Sequence, residues 1–263
     1  MKIAVITGGS SGIGLATAEL FAEKGYLVYA LSRRGGESSG NVRHLVCDVT
    51  NEAQVHDVFA EIFARHGQID VLVNNAGFGI SGAVELTDDA QAKKQFDVNF
   101  FGCFHCCKAA VPLMRRTGHG VIVNVSSMAA VLSIPFQSFY SASKSAINAL
   151  TLALANEVKP FGIRVCALMP GDVKTGFTAV REKSQDPCGV YGETLQNSVA
   201  VMEHDEQNGM PPRALAKAIW RLSQQKRPRP LSTAGAQYHV FALLQKALPA
   251  SLVNRIVGEI YAK

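Results

Sequence analysis

The chain has 263 residues, 48% of them hydrophobic, and a formal net charge of +5. This length is enough for one large domain with a sizeable apolar core. No apolar stretch approaches the ~18 residues of a membrane helix, and no secretory leader pattern opens the chain. We therefore expect a cytoplasmic protein without an integral membrane segment. The basic residues are scattered, which fits a polyanionic small ligand and predicts no nucleic-acid partner.

The first predicted element is a buried strand at residues 2–6, and a glycine-rich turn and a helical pattern ending near Gly25 follow it. Glycine permits tight turning and close approach of the backbone to a ligand, and the free N–H groups at a helix start attract phosphate. This order predicts a dinucleotide site, with an ordinary turn as the alternative. The spacing Gly-x-x-x-Gly-x-Gly differs from the usual Gly-x-Gly-x-x-Gly fingerprint. The candidate binding residues are Thr7, Gly8, Ser10, Ser11, Gly12, Ile13 and Gly14.

The second predicted strand, residues 27–31, ends at Ser32, Arg33 and Arg34. An acidic side chain about 20 residues past the glycines would hold the ribose hydroxyl of NAD, but two arginines stand there instead. A guanidinium fits a 2′-phosphate in bidentate fashion. The sequence therefore predicts NADP(H) as the cofactor. The alternative is that Arg33 and Arg34 are solvated loop charges.

Strands and helices alternate along the rest of the chain, which predicts a parallel sheet covered on both faces. We expect a single-domain α/β fold over residues 1–263, a Rossmann-like doubly wound sheet of about seven strands, with ligands bound beyond the carboxyl ends of the strands. Further strands are predicted at residues 42–47, 71–74, 121–126, 164–169 and 230–233, and helices at 52–66, 89–117 (in two pieces), 138–159 and 212–224.

The six cysteines do not predict a disulfide framework. Cys103, Cys106 and Cys107 cluster with His105 in a helical stretch. Core packing is favoured there over a metal site, because no second Cys/His group with zinc spacing occurs in the chain. Cys188 lies in a predicted loop, where its thiol would be exposed.

Tyr140 and Lys144 lie four residues apart in a predicted helix, so their side chains share one face. A phenol titrates near pH ~10, and a close cation is expected to pull that pKa toward neutral, where proton exchange with a substrate oxygen becomes useful. Ser127 follows a predicted strand and precedes Tyr140 by thirteen positions. The three residues predict an acid/base device; the alternative is a surface Tyr and Lys on an ordinary helix.

Two regions should decide which substrate binds. Residues 172–211 show no strong period, which predicts a lid over the substrate or, alternatively, disorder. Residues 234–263 predict a C-terminal helical extension, called the tail below, with an apolar stripe broken at Pro249. This stripe would pack on the core or a partner subunit, cap an apolar substrate, or contact a membrane surface. Its members are Phe241, Leu244, Leu248, Leu252, Ile256 and Ile260.

With these motifs in order, the chain resembles the short-chain dehydrogenase/reductase family from residue 2 to about residue 175. The resemblance implies that Asn99 is catalytic, Ser127 binds the substrate, Tyr140 is the acid/base and Lys144 also binds the cofactor. One departure is Ser11, where some NADP-preferring members have a basic residue. The remaining implied cofactor contacts are Arg33, Asp48, Val49, Asn75, Ala76, Gly77, Pro170, Gly171, Val173 and Thr175.

The resemblance further implies an NADP(H)-dependent oxidoreductase that interconverts a ketone or aldehyde with an alcohol. The tail resembles the branch containing hydroxysteroid and retinol dehydrogenases, which implies an apolar small-molecule substrate such as a hydroxysteroid or a lipid-like carbonyl. We expect a homo-oligomer, a dimer or a tetramer. The alternatives are a non-catalytic NADP-sensing or scaffold protein, and a reductase of small carbonyls unrelated to steroids. Apolar residues that would line the pocket, or else pack in the core, are Met128, Ile134, Phe136 and Phe139.

Overall fold

Seven parallel strands form the central sheet of the computed structural model, which describes residues 1–186 and 188–262. The sheet confirms the predicted doubly wound α/β fold. Its five inner strands are mostly apolar and almost fully buried, as expected when helices cover the two sides of a parallel sheet, and its two edge strands are partly exposed. In spatial order the strands are β3 (Val42–Val46), β2 (Leu27–Ser32), β1 (Ile3–Thr7), β4 (Val71–Asn74), β6 (Gly120–Val125), β7 (Ile163–Pro170) and β9 (Leu231–Ala234).

The strand order reverses direction at β1, which pairs with β2 on one side and with β4 on the other. Val5 lies opposite Tyr29 of β2 and opposite Leu72 of β4. The chain after β1 and the chain after β4 therefore continue to helices on opposite faces of the sheet, which leaves a crevice at its carboxyl edge. Crevices of this kind are where open α/β sheets bind ligands.

Helices pack on the two faces of the sheet in separate apolar layers. Alternate residues of each strand point to opposite faces, so Ile3 and Val5 join one layer while Ala4 and Ile6 join the other. One layer packs against α1 (Gly12–Glu23) and α7 (Pro212–Gln224), and the other against α2 (Glu52–His66), α4 (Gly102–Thr117) and α5 (Ser138–Glu157).

The stretch predicted as two helices at residues 89–117 contains three helical pieces. The helix α3 (Asp89–Phe96) continues through a π-helical segment (Asp97–Phe101) into α4 without a break. The π-helical segment holds Asn99 in a buried position. Single-turn π segments of this kind are rare and occur frequently at functional sites.

The lid region is more ordered than its sequence indicated. It contains α6 (Gly192–Gln207), and a two-residue strand, β8 (Glu182–Lys183), that pairs in parallel with β5 (Ile80–Ser81). The buried side of α6 has helical spacing, but Ser198 is one of its members, so the hydrophobic pattern in the sequence is interrupted. Pro187 of the predicted lid and Lys263 of the tail lie outside the described residues.

The tail folds into two helices, α8 (Ala236–Ala247) and α9 (Ala250–Tyr261), separated at Pro249 as predicted. No helix in residues 1–186 and 188–262 combines the length and the apolar character that a membrane crossing requires.

Five of the six cysteines are buried, and Cys188 is exposed between β8 and α6. Burial raises the pKa of the Cys47 thiol to about 11 and that of Cys166 to about 12, so both stay protonated at neutral pH. Cys103, Cys106 and Cys107 pack in the core layer that contains α4. Within the described ranges, no group of three or more His, Cys, Asp or Glu side chains is arranged to hold a metal ion.

Candidate active site

The carboxyl ends of the central strands border one large cavity of about 740 Å³. Thr7, Gly14 and Asn99 are predicted site residues that do not line it. The predicted site residues that do line the cavity are Gly8, Ser10, Ser11, Gly12, Ile13, Ser32, Arg33, Arg34, Asp48, Val49, Asn75, Ala76, Gly77, Ser127, Tyr140, Lys144, Pro170, Gly171, Val173 and Thr175.

The glycine-rich turn packs directly against the start of α1. A Cβ atom added at Gly14 would lie 2.1 Å from the Gly8 carbonyl oxygen, so only glycine fits there. Gly8 itself has a φ of 65°, which favours glycine. The Thr7 hydroxyl, behind the turn, accepts hydrogen bonds from the N–H groups of Asn75 (2.9 Å) and Ala76 (3.0 Å). The turn after β1 is thereby tied to the loop after β4.

The N-terminus of α1 faces the cavity without a side-chain cap. Ser11, the residue before α1, makes no side-chain hydrogen bond to the first turn, and Ser10, Gly12 and Ile13 line the cavity beside it. Uncapped N–H groups at a helix start bind phosphate well. The turn therefore has the close backbone approach and the free donors that a dinucleotide requires.

Arg33 and Arg34 follow β2 directly in the chain; both are exposed, and both line the cavity. None of the ion pairs among the described residues involves either of them. Their guanidinium groups are thus available to an anionic ligand in the cavity. Asp48 and Val49, on the neighbouring loop after β3, line the same cavity.

Ser127, Tyr140 and Lys144 meet where β6 and α5 approach each other. Lys144 is buried, and its Nζ donates a hydrogen bond to the Val125 carbonyl (2.9 Å) while lying 5.7 Å from the centroid of the Tyr140 ring. The Ser127 hydroxyl accepts a hydrogen bond from the Ala129 N–H (3.1 Å). These three side chains share one stretch of cavity wall.

The expected effect of Lys144 on Tyr140 is wrong for this structure. Desolvation raises the pKa of Tyr140 to about 12, and a hydrogen bond with Ser127 offsets only part of that rise. Burial also lowers the pKa of Lys144 to about 8. Spacing along a helix indicates the attraction between a phenolate and an ammonium, but the loss of hydration of both groups at the cavity wall depends on the folded structure.

Asn99 lies behind the wall, with its side chain fully bonded. Its Oδ1 accepts from the Phe78 N–H, and its Nδ2 donates to the Phe78 carbonyl and to the Ser143 hydroxyl, each at 3.1 Å. A Cβ added at Gly77 would meet Asn99 Oδ1 at 3.0 Å and Lys144 Nζ at 3.6 Å. Asn99 therefore fixes the loop that separates it from Lys144 and the cavity.

The lid contacts Tyr140 through Phe177. The two rings pack edge to face with centroids 5.7 Å apart. Arg181, whose side chain is fully buried, also lies over the Phe177 ring and pairs with Glu206 of α6. Glu206 also accepts a hydrogen bond from the Thr178 hydroxyl (2.5 Å). These contacts fix the start of the lid against the catalytic candidate.

Asp172 is a cavity residue that sequence reasoning missed. Its carboxylate Oδ2 accepts a hydrogen bond from the Tyr238 hydroxyl (2.5 Å), and its own N–H donates to that hydroxyl (3.1 Å). A Cβ at Gly171 would lie 2.0 Å from the Tyr238 ring, so the ring fits there because residue 171 is glycine. The position of Asp172, directly after the Pro170-Gly171 pair and a strand, was the signal available in the sequence.

Apolar side chains of the lid and the tail form the opposite wall. Leu252 of the predicted stripe and Phe136 and Phe139 near Tyr140 do not line the cavity; Phe136 packs instead on Tyr191. Side chains of the tail thus border the cavity. The apolar residues of the lid and the tail that line the cavity, with three that follow Ser127 in sequence, are Phe177, Val180, Met202, Phe241, Leu244, Leu248, Val253, Ile256, Val257 and Ile260, together with Met128, Leu132 and Ile134.

Comparison with known proteins gives a consistent result. The model of the short chain dehydrogenase family matches residues 2–186. The 3-ketodihydrosphingosine reductase of Bacteroides thetaiotaomicron is 41% identical over 99% of this chain and 98% of that protein. The human 3-oxoacyl-[acyl-carrier-protein] reductase is 35% identical over 76% of this chain and 90% of its own length.

Solved structures agree with the fold. A short-chain dehydrogenase from Streptomyces avermitilis superposes with a TM-score of 0.82 at 30% identity, covering 94% of this chain and 93% of its own. ElxO with NADP bound gives 0.74 at 26% identity, with coverage of 91% and 99%. A Burkholderia phymatum short chain dehydrogenase/reductase in complex with NAD gives 0.81 at 25% identity, with coverage of 97% and 94%.

Proposed function

Since the chain belongs to the short-chain dehydrogenase family of oxidoreductases, we propose that it is an NADP(H)-dependent reductase of a ketone carried on a long apolar chain. The observation that carries this proposal is the shared cavity. Tyr140, Ser127 and Lys144 border the same space as the glycine-rich turn and the apolar wall of the tail. A proton donor, a candidate dinucleotide site and an apolar surface for the substrate would thus border one cavity.

The choice of NADP(H) rests on Arg33 and Arg34. Both border the cavity without an ion-pair partner in the described part of the chain. The last position of β2 is Ser32, so no carboxylate stands where NAD-binding proteins hold the ribose hydroxyls. A 2′-phosphate would find two guanidinium groups and no repelling acid there.

Hydride transfer is the chemistry that a bound nicotinamide supplies; the chain's own residues hold the substrate oxygen and move the proton. The hydroxyls of Ser127 and Tyr140 donate hydrogen bonds to the carbonyl oxygen, and Tyr140 gives its proton to that oxygen as the alcohol forms. With a pKa of about 12, Tyr140 is protonated at neutral pH, which favours its use as the acid of a reduction.

Lys144 stabilises the tyrosinate that remains after proton transfer. Its pKa of about 8 leaves the amine mostly charged at neutral pH, and water returns the lost proton to the tyrosinate. We propose that this proton reaches Tyr140 by way of the Lys144 amine. The route would run beside the loop of Gly77, which Asn99 holds in place. The hydrogen bonds of Asn99 to Phe78 and Ser143 make it a positioning residue for that loop.

The apolar chain of the substrate is inferred from the cavity wall and from one relative. Side chains of α6, α8 and α9 supply an apolar part of the wall of the cavity that Tyr140 also borders. The relative that matches this chain over 99% of its length is named for reduction of 3-ketodihydrosphingosine, whereas matches to the acyl-carrier-protein reductase cover 76%. A long-chain ketone therefore fits better than a steroid or a small carbonyl.

Turnover of a ketone panel tests the proposal. The purified protein should consume NADPH with long-chain 3-ketones, and more slowly with ketosteroids or short ketones. Tyr140→Phe should lower kcat at least about a hundredfold while NADPH still binds. Tyr191→Phe removes a hydroxyl that bonds Glu85 away from the cavity and should have little effect. NADPH binding without turnover of any ketone would favour a cofactor-sensing protein instead.

The expected assembly and location remain predictions. Val240 and Leu243 of α8 are exposed apolar side chains, which supports a homo-oligomer, dimer or tetramer. Light scattering of the purified protein measures its mass directly. The cytoplasmic location is tested by fractionation of cells that express the chain.

A further inference from the structure

Three carboxylates line the part of the cavity near the lid, and two of them are neutralised by basic partners. Glu182 pairs with Lys94 at 2.5 Å, and Glu206 pairs with the buried Arg181. Asp172 has no ion pair with any basic side chain in the described ranges. A negative charge at a half-buried wall without a cation is costly, and it points to a ligand that carries one.

The Asp172 carboxylate is held in a fixed orientation. The Tyr238 hydroxyl donates a hydrogen bond to Oδ2 and accepts one from the Asp172 N–H. Gly171 has no side chain, which leaves the space that the Tyr238 ring occupies. Among the described residues, Tyr238 is the one side chain that donates a hydrogen bond to this carboxylate, and it uses Oδ2, so Oδ1 can accept from a ligand in the cavity. Carboxylates oriented in advance by a second side chain bind their partners with little loss of entropy.

The charge around Asp172 is negative in total. Asp205 and Glu206 lie close enough to interact with it electrostatically, and Arg181 is the cation that opposes them. Desolvation is the main reason that the pKa of Asp172 is raised. A bound cation would offset that cost. The negative charges of Glu206 and Asp172 also act on the Tyr140 hydroxyl, so the same region of negative potential extends to the place where the substrate oxygen would lie.

We propose that Asp172 binds a protonated primary amine on the carbon next to the ketone, which makes long-chain 2-amino ketones the substrate class. The inference rests on the proposed function, because it places the ketone oxygen at Tyr140 and Ser127. Asp172 determines specificity in this arrangement, and Tyr238 is a positioning residue that acts through it. The alkyl chain then extends from the ketone carbon, on the side away from the amine, along the apolar wall that the tail supplies.

Paired substrates test the role of Asp172. The probes are 3-ketodihydrosphingosine and its 2-deamino analogue with the same chain length. The native protein should prefer the amino ketone, and Asp172→Asn should lower kcat/KM for it by about 10- to 100-fold, the loss expected for one charge-assisted hydrogen bond. The deamino ketone should change by less than about threefold, because asparagine keeps the shape and can still accept from Tyr238.

Two further variants separate a local role from a general one. Glu182→Gln makes the same carboxylate-to-amide change at the pair with Lys94, and the preference for the amino ketone should persist. Tyr238→Phe removes the hydrogen bond to Asp172 Oδ2 and should reduce the preference by a smaller factor than Asp172→Asn does. Equal loss for both substrates in Asp172→Asn would overturn the proposal and leave the reductase function standing.

Measurements on the native protein keep the proposal testable if Asp172→Asn does not fold. A long-chain 2-amino alcohol should inhibit reduction of the deamino ketone at least about tenfold more tightly than the matching deamino alcohol. That advantage should decline as pH rises and the amine loses its proton. Equal inhibition by the two alcohols would contradict the assignment of Asp172. Failure to reduce either ketone would instead overturn the proposed function.

Discussion

Lys144 extends its ammonium to the backbone carbonyl of Val125, with Nζ 2.9 Å from the oxygen. Val125 is the last residue of β6, so the strand end fixes the amine below the Tyr140 ring. An amine buried this deeply loses most of its hydration, and its pKa falls to about 8. The charge of Lys144 therefore changes within a pH range that is convenient for experiments.

Replacing Lys144 by methionine should change how the stability of the cofactor-free protein depends on pH. The pKa of Lys144 falls from 10.5 in the unfolded chain to about 8 in the folded protein. Between these values the unfolded chain holds the lysine proton and the folded protein does not, so the contribution of Lys144 to the free energy of unfolding should rise by about 1.4 kcal/mol for each pH unit. The buried thiols of Cys47 and Cys166 contribute in the opposite direction, equally in both proteins. Lys144→Met should lose this rise. Urea unfolding across that window measures both slopes, and equal slopes would contradict the burial of a charged amine.

Gly14→Ala should weaken both stability and cofactor binding. The new methyl group would lie 2.1 Å from the Gly8 carbonyl oxygen, so the turn must shift at a cost of about 1–3 kcal/mol in the free energy of unfolding. NADPH should bind at least about tenfold more weakly, because the shifted turn carries the proposed phosphate donors. Urea unfolding and fluorescence titration with NADPH check these values.

Gly258→Ala is the matched control, because a Cβ at this helical glycine of α9 meets nothing within 4 Å. It should stabilise the protein by about 0.5–1 kcal/mol, since alanine favours a helix more than glycine does. If both alanine variants were as stable as the native protein, the close packing at Gly14 would be disproved.

Arg33→Asp should change cofactor preference. An aspartate would repel the 2′-phosphate and could accept from the ribose hydroxyls of NADH, so the ratio of NADPH to NADH affinity should fall by about 10- to 100-fold. Titration with both cofactors measures the ratio. Arg43→Asp is the control, because Arg43 is exposed on β3 and outside the cavity. Equal weakening of both cofactors in Arg33→Asp would rule out a contact with the 2′-phosphate.

Arg181→Met should destabilise the protein strongly. The side chain of Arg181 is fully buried with Glu206, and removal of one partner leaves an unpaired buried charge at a cost of about 3–5 kcal/mol. The double variant Arg181→Met/Glu206→Leu should recover much of that loss. Thermal and urea unfolding measure these changes. Lys183→Met breaks an exposed pair with Glu203 (2.7 Å) and should cost less than about 1 kcal/mol.

The central sheet could be predicted from the sequence because most of its inner strands carry their own apolar, β-branched pattern. The prediction at residues 71–74 matches β4, and the predicted helix at 52–66 matches α2. The position of the cavity followed from topology, because loops after parallel strands meet at one edge of the sheet.

The interactions that the sequence did not predict join residues far apart in the chain. Asp172 and Tyr238 are separated by 66 positions, and no local pattern connects them. The pairing of β5 with β8 likewise depends on the folded lid, since two residues are too few to give a period. The pKa of Tyr140 was misjudged for a related reason, because desolvation depends on neighbours from several elements.

The burial pattern of the cysteines gives the lid a natural attachment point for a spectroscopic reporter. Cys188 lies exposed between β8 and α6, whereas the other five thiols are buried. A thiol-reactive fluorophore should therefore modify the folded protein at one position, without removal of any native cysteine. Its emission would then follow the environment of the lid in real time as cofactor and ketone are added.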